Sequence, residues 1–479
     1  MKVSLKNVGM LDEANFEVGD LTIICGENNT GKTYATYSLY GYLDYIKRGS
    51  FLNLTLKDSE YSKLLEEVVI EDCKFEIVMQ SFENILTKIS HAAFDEYKEQ
   101  LPEILAGKDV DFTKTEFADD IVKRAMAILN KTEKIAKDFF LNSSKFELLE
   151  INKEKIIFDL SKSKKTFTDD MKRNIDFKKD MFIKAIILYI YTFSYPNTFI
   201  ISAERTGASM FQKELDVNKS EIVEQISMAD TNNIQDVAIR LLMQRYSRYP
   251  KPVKDNIYFI RGLNEVTSKT SFISKNESAL NKIILELLHK VVGGKYLVSQ
   301  EGIEFAPGAK KRIIKGKVAI QRASSSVRSL LMLNYYILHM ARIGDILMID
   351  EPELNLHPNN QILVARLLVL LVNSGIKVFI TTHSDYIVRE ISNCIMLNCL
   401  TSNQIDNLRN KGYSSEYKLN FKKVKAYLAE NKKGKNILGS VVINERGIFM
   451  NTFDSPIDTQ NENQSLIFAA LLEGNKNDE

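Results

Sequence analysis

The chain has 479 residues, of which 44% are hydrophobic and 26% are charged, and this composition excludes a collagen-like chain or one that is disordered over most of its length. Its 64 basic and 62 acidic side chains leave a net charge of +2, so any contact with nucleic acid must come from a local basic patch. The four cysteines are scattered and form no C-x-x-C pair, which excludes a disulfide framework and a zinc site of that type.

The first fifty residues predict strands, a loop and a helix. Val3 and Leu5 alternate with polar neighbours, and residues 21–25 form a short apolar run that ends at Gly26. A helix is predicted from Lys32 to about residue 46. Residues 51–195 are rich in lysine and glutamate with helical spacing, which predicts a mostly helical insertion.

The middle of the chain alternates between strands and helices. An apolar strand at 198–202 precedes the sequence A-E-R-T-G, and a helical pattern then continues to about Tyr249, where Pro250 and Pro252 are expected to end it. Residues 290–320 predict antiparallel strands, with turns at Gly293-Gly294 and at Pro307-Gly308.

Predicted helices and strands follow one another most closely between residues 327 and 381. Helices are predicted at 327–341 and 358–373, and apolar strands at 346–350 and 377–381. Unbroken apolar strands that alternate with helices indicate a parallel sheet covered on both faces.

Residues 26–33 read G-E-N-N-T-G-K-T, a complete G-x-x-x-x-G-K-T between a strand and a helix. In such a loop the backbone N–H groups and the helix N-terminus surround the phosphates, Lys32 contacts the β- and γ-phosphates, and the Thr33 hydroxyl binds Mg²⁺. The loop therefore predicts ATP and Mg²⁺ as cofactors. The predicted nucleotide contacts are Gly26, Asn28, Asn29, Thr30, Gly31, Lys32 and Thr33.

Two later strands end in residues that suit the same chemistry. The apolar run at 346–349 ends in Asp350, a predicted metal ligand together with Thr33, and in Glu351, predicted to orient or deprotonate the attacking water. Residues 378–382 lead to His383, which we expect near the γ-phosphate. Lys32, Glu351 and His383 are thus the predicted catalytic residues. The alternatives are a helix N-terminus that favours negative charge at 350–351 and a purely structural histidine.

These residues resemble the ABC-type ATPases, and among them the branch of RecF, the SMC heads and the OLD-like (AAA15/AAA21) ATPases of bacterial defence. Gly26 to Thr33 resembles the Walker A loop, Ile346 to Glu351 the Walker B strand, residues 354–358 the D-loop, and His383 the switch histidine. The resemblance implies an α/β fold: a split ABC-type ATPase head with a mixed and parallel β-sheet flanked by helices, and a mostly helical insertion.

The resemblance also implies a domain division. We expect residues 1–50 to be the N-terminal part of the head with the P-loop, 51–195 the helical insertion, 196–390 the rest of the head, and 391–479 a C-terminal α/β extension.

One segment departs from the family pattern. The signature loop of this family is of the type L-S-G-G-Q, whereas residues 323–329 read A-S-S-S-V-R-S. Ser324 and Ser325 are predicted to contact the nucleotide, and the alternative is that the serines only cap a helix. By the resemblance, ATP lies between the Walker A loop of one head and the signature loop of another, which implies an ATP-dependent dimer or higher homo-oligomer.

The expected function is that of a slow, cytoplasmic ATPase. Residues 384–479 contain no histidine and no D-x-D pair, so a nuclease would be a separately encoded effector, as in two-gene anti-phage systems such as PARIS and Septu. The leading hypothesis is a sensor or scaffold subunit that oligomerises and controls that nuclease. The alternatives are a RecF-like DNA-repair ATPase and a scaffold that binds ATP without turnover.

Further partners follow from weaker signals. Basic clusters at 310–317 and 432–435 are candidate contacts for double-stranded DNA, or ordinary solvated surfaces. Arg205 is expected either to reach a phosphate or to form a surface pair with Glu204. A phage protein is a further candidate partner. We expect no membrane segment, because the longest apolar stretch, 181–193, is shorter than the ~20 residues that span a bilayer.

Overall fold

The computed structural model describes residues 1–49, 63, 65–71, 74–130, 139–141, 144–146, 149–151, 154–159, 175–211, 249–275, 277–309, 312–313, 316–450 and 459–468. The chain forms two compact units. Unit 1 comprises Met1–Glu17, Tyr34–Phe199 and Asp230–Pro252, and unit 2 comprises Val18–Thr33, Ile200–Ala229 and Val253–Glu479. Among the described residues, no helix has both the length and the hydropathy needed to cross a bilayer.

The N-terminal half alternates between strands and α-helices. The strands are β1 (Lys2–Val8), β2 (Leu11–Glu17), β3 (Leu21–Gly26), β4 (Val69–Glu71), β5 (Lys74–Val78), β6 (Glu116–Asp119), β7 (Phe139–Leu141), β8 (Ser144–Phe146), β9 (Leu149–Ile151), β10 (Lys155–Asp159) and β11 (Thr198–Ile201). The helices are α1 (Lys32–Arg48), α2 (Met79–Leu105), α3 (Ile121–Leu129), α4 (Ile175–Ser194) and α5 (Arg205–Met210).

The C-terminal half continues the alternation. Its strands are β12 (Gly294–Ser299), β13 (Gly302–Ala309), β14 (Arg312–Ile313), β15 (Val318–Ala319), β16 (Ile346–Asp350), β17 (Lys377–Thr382), β18 (Val424–Lys432), β19 (Lys435–Ser440), β20 (Ile443–Asn444) and β21 (Gly447–Ile448). Its helices are α6 (Lys251–Arg261), α7 (Leu263–Val266), α8 (Ala279–Val292), α9 (Ser325–Tyr335), α10 (Pro358–Asn373), α11 (Asp385–Leu397) and α12 (Ser402–Asp406).

Unit 1 contains antiparallel strands and long helices. Strand β1 pairs antiparallel with both β2 and β6, and a second sheet has the order β4-β5-β10-β9. Helix α2 buries an apolar face that runs from Met79 to Ile104. Besides helices, the segment predicted to be a mostly helical insertion contains short strands between residues 69 and 159. Strand β5 shows how they arise: its sequence K-F-E-I-V buries Phe75 and Ile77, and this alternation of every second residue is typical of a half-buried strand.

The main sheet of unit 2 carries the predicted nucleotide loop. Its strand order is β11-β16-β17-β3-β18-β19, with β3 parallel to β17 and to β18 and with β16 parallel to β17. Strand β16 is buried along its whole length, and β3 is buried up to Cys25, because a parallel sheet is covered on both faces. The predicted α/β fold is confirmed, and strands more than 300 positions apart in sequence share one sheet.

Several local predictions need correction. Pro307-Gly308 lies inside β13, since pairing with β12 continues to Gly294 opposite Pro307. Pro252 lies in the first turn of a new helix, α6, a position that suits a residue without a backbone N–H. Helix α9 starts two residues earlier than predicted and continues as a π-helical turn at Tyr336–Met340. The predicted helical stretch at 212–248 and the basic residues at 310–311 and 314–315 lie outside the described residues.

Candidate functional site

The loop at 26–33 connects β3 to α1, and several of its residues have positive φ angles. Gly26, Asn29 and Gly31 have positive φ angles of 141°, 62° and 91°, conformations that glycine and asparagine accept most readily. An added Cβ at Gly26 would lie 2.1 Å from the backbone oxygen of Ala429 on β18. Glycine is therefore required at the start of the loop by the close approach of a neighbouring strand.

Lys32 is largely buried at the first position of α1. Its ammonium donates to the carbonyl oxygens of Gly26 at 3.0 Å and Glu27 at 2.6 Å. Burial lowers the pKa of Lys32, while the charges of Glu351 and Asp350 act in the opposite direction. The loop thus holds the ammonium against its own backbone, where a bound phosphate would offer stronger acceptors.

Asp350, at the end of β16, lies beside the start of α1. The Thr33 hydroxyl donates to its Oδ2 at 3.5 Å, and the Thr381 hydroxyl donates to Oδ1. Burial raises the pKa of Asp350 to about 6, against the lowering effect of the Thr381 hydrogen bond. A cation beside the carboxylate would favour its charged form.

The donor set fits Mg²⁺. A hydroxyl and one carboxylate are hard oxygen ligands, and Mg²⁺ is usually held by one or two carboxylates together with substrate phosphates. Among the described residues, no group of three or more His, Cys, Asp and Glu side chains could hold a metal ion by itself. Thr33 and Asp350 would therefore hold Mg²⁺ jointly with a nucleotide.

Glu351 and His383 form a pair next to this position. Glu351 has a positive φ of 52°, and its backbone N–H donates to the Thr381 carbonyl oxygen at 3.1 Å. Its Oε1 lies 3.3 Å from His383 Nε2, and the hydrogen bond from His383 is the main reason why the pKa of Glu351 is lowered. An ionised, partly exposed carboxylate at this point is able to accept a proton from water.

Glu353 is a site residue that the sequence analysis missed. Its Oε1 accepts hydrogen bonds from the His383 backbone N–H at 2.6 Å and from the Thr382 hydroxyl at 2.9 Å, while its buried Oε2 has no hydrogen-bond partner. Burial raises the pKa of Glu353. The only signal in the sequence was a second acid two positions after Glu351, and the contacts show that it fixes the backbone that carries His383.

Ser324 and Ser325 mark the start of α9. Ser324 is the N-cap residue, and its hydroxyl accepts from the Val327 N–H at 3.4 Å and lies 2.9 Å from the Ser326 hydroxyl. Ser325 is the first residue of the helix. Helix capping, the alternative weighed from the sequence, is therefore present, and the nucleotide contact stays a prediction.

Arg205 lies in the interior and not on the surface. It is only 2% exposed, and its contact with a phosphate stays a prediction. Its guanidinium donates to the backbone oxygens of Asp350 at 2.8 Å and of Glu351 at 2.6 Å. The residue belongs to the framework beneath the two carboxylates.

The basic cluster at 432–435 forms the turn between β18 and β19. Lys432, at the exposed end of β18, pairs with the partly buried Glu430 at 2.6 Å. Asn436 on β19 donates to the backbone oxygen of Asn29 at 3.4 Å. The cluster therefore lies at the same edge of the sheet as the loop at 26–33.

Comparison with known proteins adds a family and distant structural likenesses. A sequence profile described as "AAA ATPase domain" (AAA_15) matches residues 1–388. A solved Smc head bound to the C-winged helix domain of ScpA is similar over 93% of this chain and 98% of its own, with 12% identity and a TM-score of 0.35. A Pyrococcus furiosus Smc head domain with an extended coiled coil, bound to the C-terminal domain of ScpA, is similar over 97% and 98%, with 12% identity and a TM-score of 0.31.

The SMC head domain from Thermotoga maritima is similar over 92% of this chain and 98% of its own, with 10% identity and a TM-score of 0.30. No curated protein matches the chain. Membership of the family therefore rests on the profile match to residues 1–388.

Proposed function

The chain belongs to the AAA ATPase domain family, and on this premise we propose that unit 2 binds ATP with Mg²⁺ at residues 26–33 and hydrolyses it. The observation that supports this most is the meeting of Thr33 and Asp350. They lie 317 positions apart in sequence, yet 3.5 Å separates the hydroxyl oxygen from the carboxylate. A P-loop hydroxyl beside a strand-end aspartate is the arrangement that holds Mg²⁺ on a triphosphate.

Each side chain then has one task. Lys32 neutralises charge on the β- and γ-phosphates, and Thr33 and Asp350 hold Mg²⁺, which supplies further neutralisation when it is bound. Glu351 orients the attacking water and accepts its proton, because its carboxylate is ionised and partly exposed. His383, 3.3 Å from Glu351, holds that carboxylate in place and contacts the γ-phosphate.

The first test is nucleotide binding and phosphate release by the purified chain. We expect Mg²⁺-dependent release of phosphate from ATP, and we expect Lys32→Ala to weaken binding of a fluorescent ATP analogue by at least ~10-fold, since the ammonium is a direct phosphate contact. Lys432→Ala, a surface lysine of the same unit, is the control. Equal binding by the Lys32 and Lys432 variants would contradict the site.

Self-association is the second part of the proposal. We propose that the start of α9, with Ser324 and Ser325, contacts ATP held by another copy, because a helix N-terminus offers backbone N–H groups to a phosphate. Light scattering after gel filtration, with and without ATP, tests this in a variant that binds but does not hydrolyse, Glu351→Gln. ATP should increase the mass of that variant, and Ser324→Trp should prevent the increase. A mass that stays monomeric with ATP refutes the shared site.

The biological role that we propose is a cytoplasmic sensor or scaffold subunit of an anti-phage system, which controls a separately encoded nuclease and responds to a phage protein. What supports this is the resemblance of residues 26–33, 346–351 and His383 to the motifs of defence ATPases. Purification of the chain expressed from its native operon tests it, because a nuclease should co-elute. Absence of a companion counts against this role.

A RecF-like repair ATPase is the second candidate, and the lysine turn at 432–435 beside the loop is the observation that favours it. The repair role predicts that duplex DNA raises the ATPase rate and that added salt removes this stimulation, because salt weakens contacts with the DNA backbone. A scaffold without turnover is favoured by the serines at 324–326 and predicts binding without phosphate release. ATPase assays with and without DNA separate the three.

A further inference from the structure

Arg205 makes an unusual set of contacts for a buried arginine. Its guanidinium donates hydrogen bonds from Nε to the Ser329 hydroxyl at 2.9 Å, from Nη1 to the Ser202 and Asp350 carbonyl oxygens at 3.0 and 2.8 Å, and from Nη2 to the Glu351 carbonyl oxygen at 2.6 Å. Two of these acceptors are the backbone of the carboxylates assigned to metal binding and proton transfer. The fork of the side chain therefore spans the end of β16.

The backbone at this point needs such support. Glu351 has a φ of 52°, a left-handed conformation that costs a residue with a Cβ ~1–2 kcal/mol. Strained residues persist only where the surroundings hold them. The N–H of Glu351 donates to the Thr381 carbonyl oxygen at 3.1 Å, and Arg205 donates to the carbonyl oxygen of Glu351. Hydrogen bonds therefore fix the peptide groups on both sides of Glu351.

The same arginine reaches a second element. Ser329, which accepts from Arg205, lies on α9, and its hydroxyl donates to the Leu354 carbonyl oxygen at 3.0 Å. Helix α9 begins four residues earlier at Ser325. A continuous series of hydrogen bonds thus runs from the Glu351 backbone through Arg205 and Ser329 to the helix whose start is predicted to contact ATP on another copy.

We propose that Arg205 is a positioning residue for hydrolysis: it sets the backbone of Glu351 and ties it to α9, without touching the nucleotide. This inference rests on the proposed ATPase activity and adds to it a residue outside the loop, the strand ends and the switch histidine. A planar fork with fixed donor directions is needed at this place, and lysine has none.

The test is Arg205→Lys, which keeps the charge and loses the fork. The matched control is Arg366→Lys in the same unit, since Arg366 is also buried and donates to Glu390 at 2.6 Å and to the Gly412 carbonyl oxygen at 2.9 Å. We expect Arg205→Lys to lower kcat by ~10- to 100-fold, because a displacement of about 1 Å near the reacting atoms costs that much. KM and analogue binding should stay within about twofold of wild type, and Arg366→Lys should leave kcat unchanged.

Hydrogen exchange of the peptide covering 350–356, measured without nucleotide, gives a readout that does not depend on turnover. Faster exchange of this peptide in Arg205→Lys than in Arg366→Lys supports the positioning role. A wild-type protein that releases no phosphate would refute the proposed hydrolysis, but it would leave this exchange result valid. Unchanged exchange, or a raised KM with unchanged kcat, overturns the inference. If Arg205→Lys does not fold, Ser329→Ala replaces it, since this variant removes only the hydrogen bond between Arg205 and α9. We expect its kcat to fall by ~3- to 10-fold. A wild-type kcat in Ser329→Ala would count against the role of that hydrogen bond.

Discussion

Glu351→Gln is the substitution that separates nucleotide binding from hydrolysis most cleanly. The amide keeps the size of the side chain and can still contact His383, now 3.3 Å from the carboxylate. The backbone contacts at Thr381 and Arg205 do not involve the side chain, so the left-handed backbone is retained. What is lost is a proton acceptor, and removing a general base typically costs 10²- to 10⁴-fold in rate.

That loss corresponds to ~2.7–5.5 kcal/mol of activation free energy at 1.36 kcal/mol per factor of ten. We expect phosphate release by Glu351→Gln to fall by that factor, while binding of a fluorescent ATP analogue changes less than threefold. Because the side chain is about one-third exposed, the melting temperature should stay close to that of the wild type.

The control for this experiment is Glu430→Gln, which removes one carboxylate charge from β18 in the same unit and should turn over at the wild-type rate. If Glu351→Gln hydrolyses ATP as fast as Glu430→Gln, the assignment of the general base is wrong. If both variants lose nucleotide binding, the loss reflects charge or folding and not proton transfer.

Three further results are expected. Gly26→Ala should lower the free energy of unfolding by ~2–4 kcal/mol in urea titrations, since the new methyl group would lie 2.1 Å from the Ala429 oxygen at a positive φ, and an unchanged midpoint would contradict the close approach. Arg366→Leu should cost ~3–5 kcal/mol, because it leaves Glu390 buried and unpaired, and the double variant Arg366→Leu/Glu390→Leu should recover at least half of that. Thr33→Ala should raise the Mg²⁺ concentration for half-maximal phosphate release by ~10-fold, whereas Thr33→Ser should not.

The sequence predicts the parallel part of the fold well, since its signals there are local. The predicted strand at 346–350 and helix at 358–373 agree with β16 and α10 to the residue. Helix α10 has an N-cap at His357 and a proline in its first turn, and both are start signals that act through neighbouring residues. The loop at 26–33 is also predicted correctly as a connection between a strand and a helix, because its signal lies within eight consecutive residues.

The parts that the sequence does not reveal depend on distant partners. Burial of Arg205 requires acceptors from residues 329, 350 and 351, and no pattern near position 205 indicates them. Glu353 is fixed by the backbone of His383, thirty residues later. Likewise, the pairing of β18 with β3 has no local signal, because the register of parallel strands is set by the whole sheet.

That pairing has a consequence for synthesis of the protein. Strand β3 ends at the loop of residues 26–33, but one of its two neighbours, β18, is synthesised much later and is not complete until residue 432. Contacts so far apart in sequence slow folding and leave strand edges exposed in the nascent chain. A chain cut at residue 388, where the family profile ends, would lack this neighbour, so the loop acquires its final surroundings only after β18 has been synthesised.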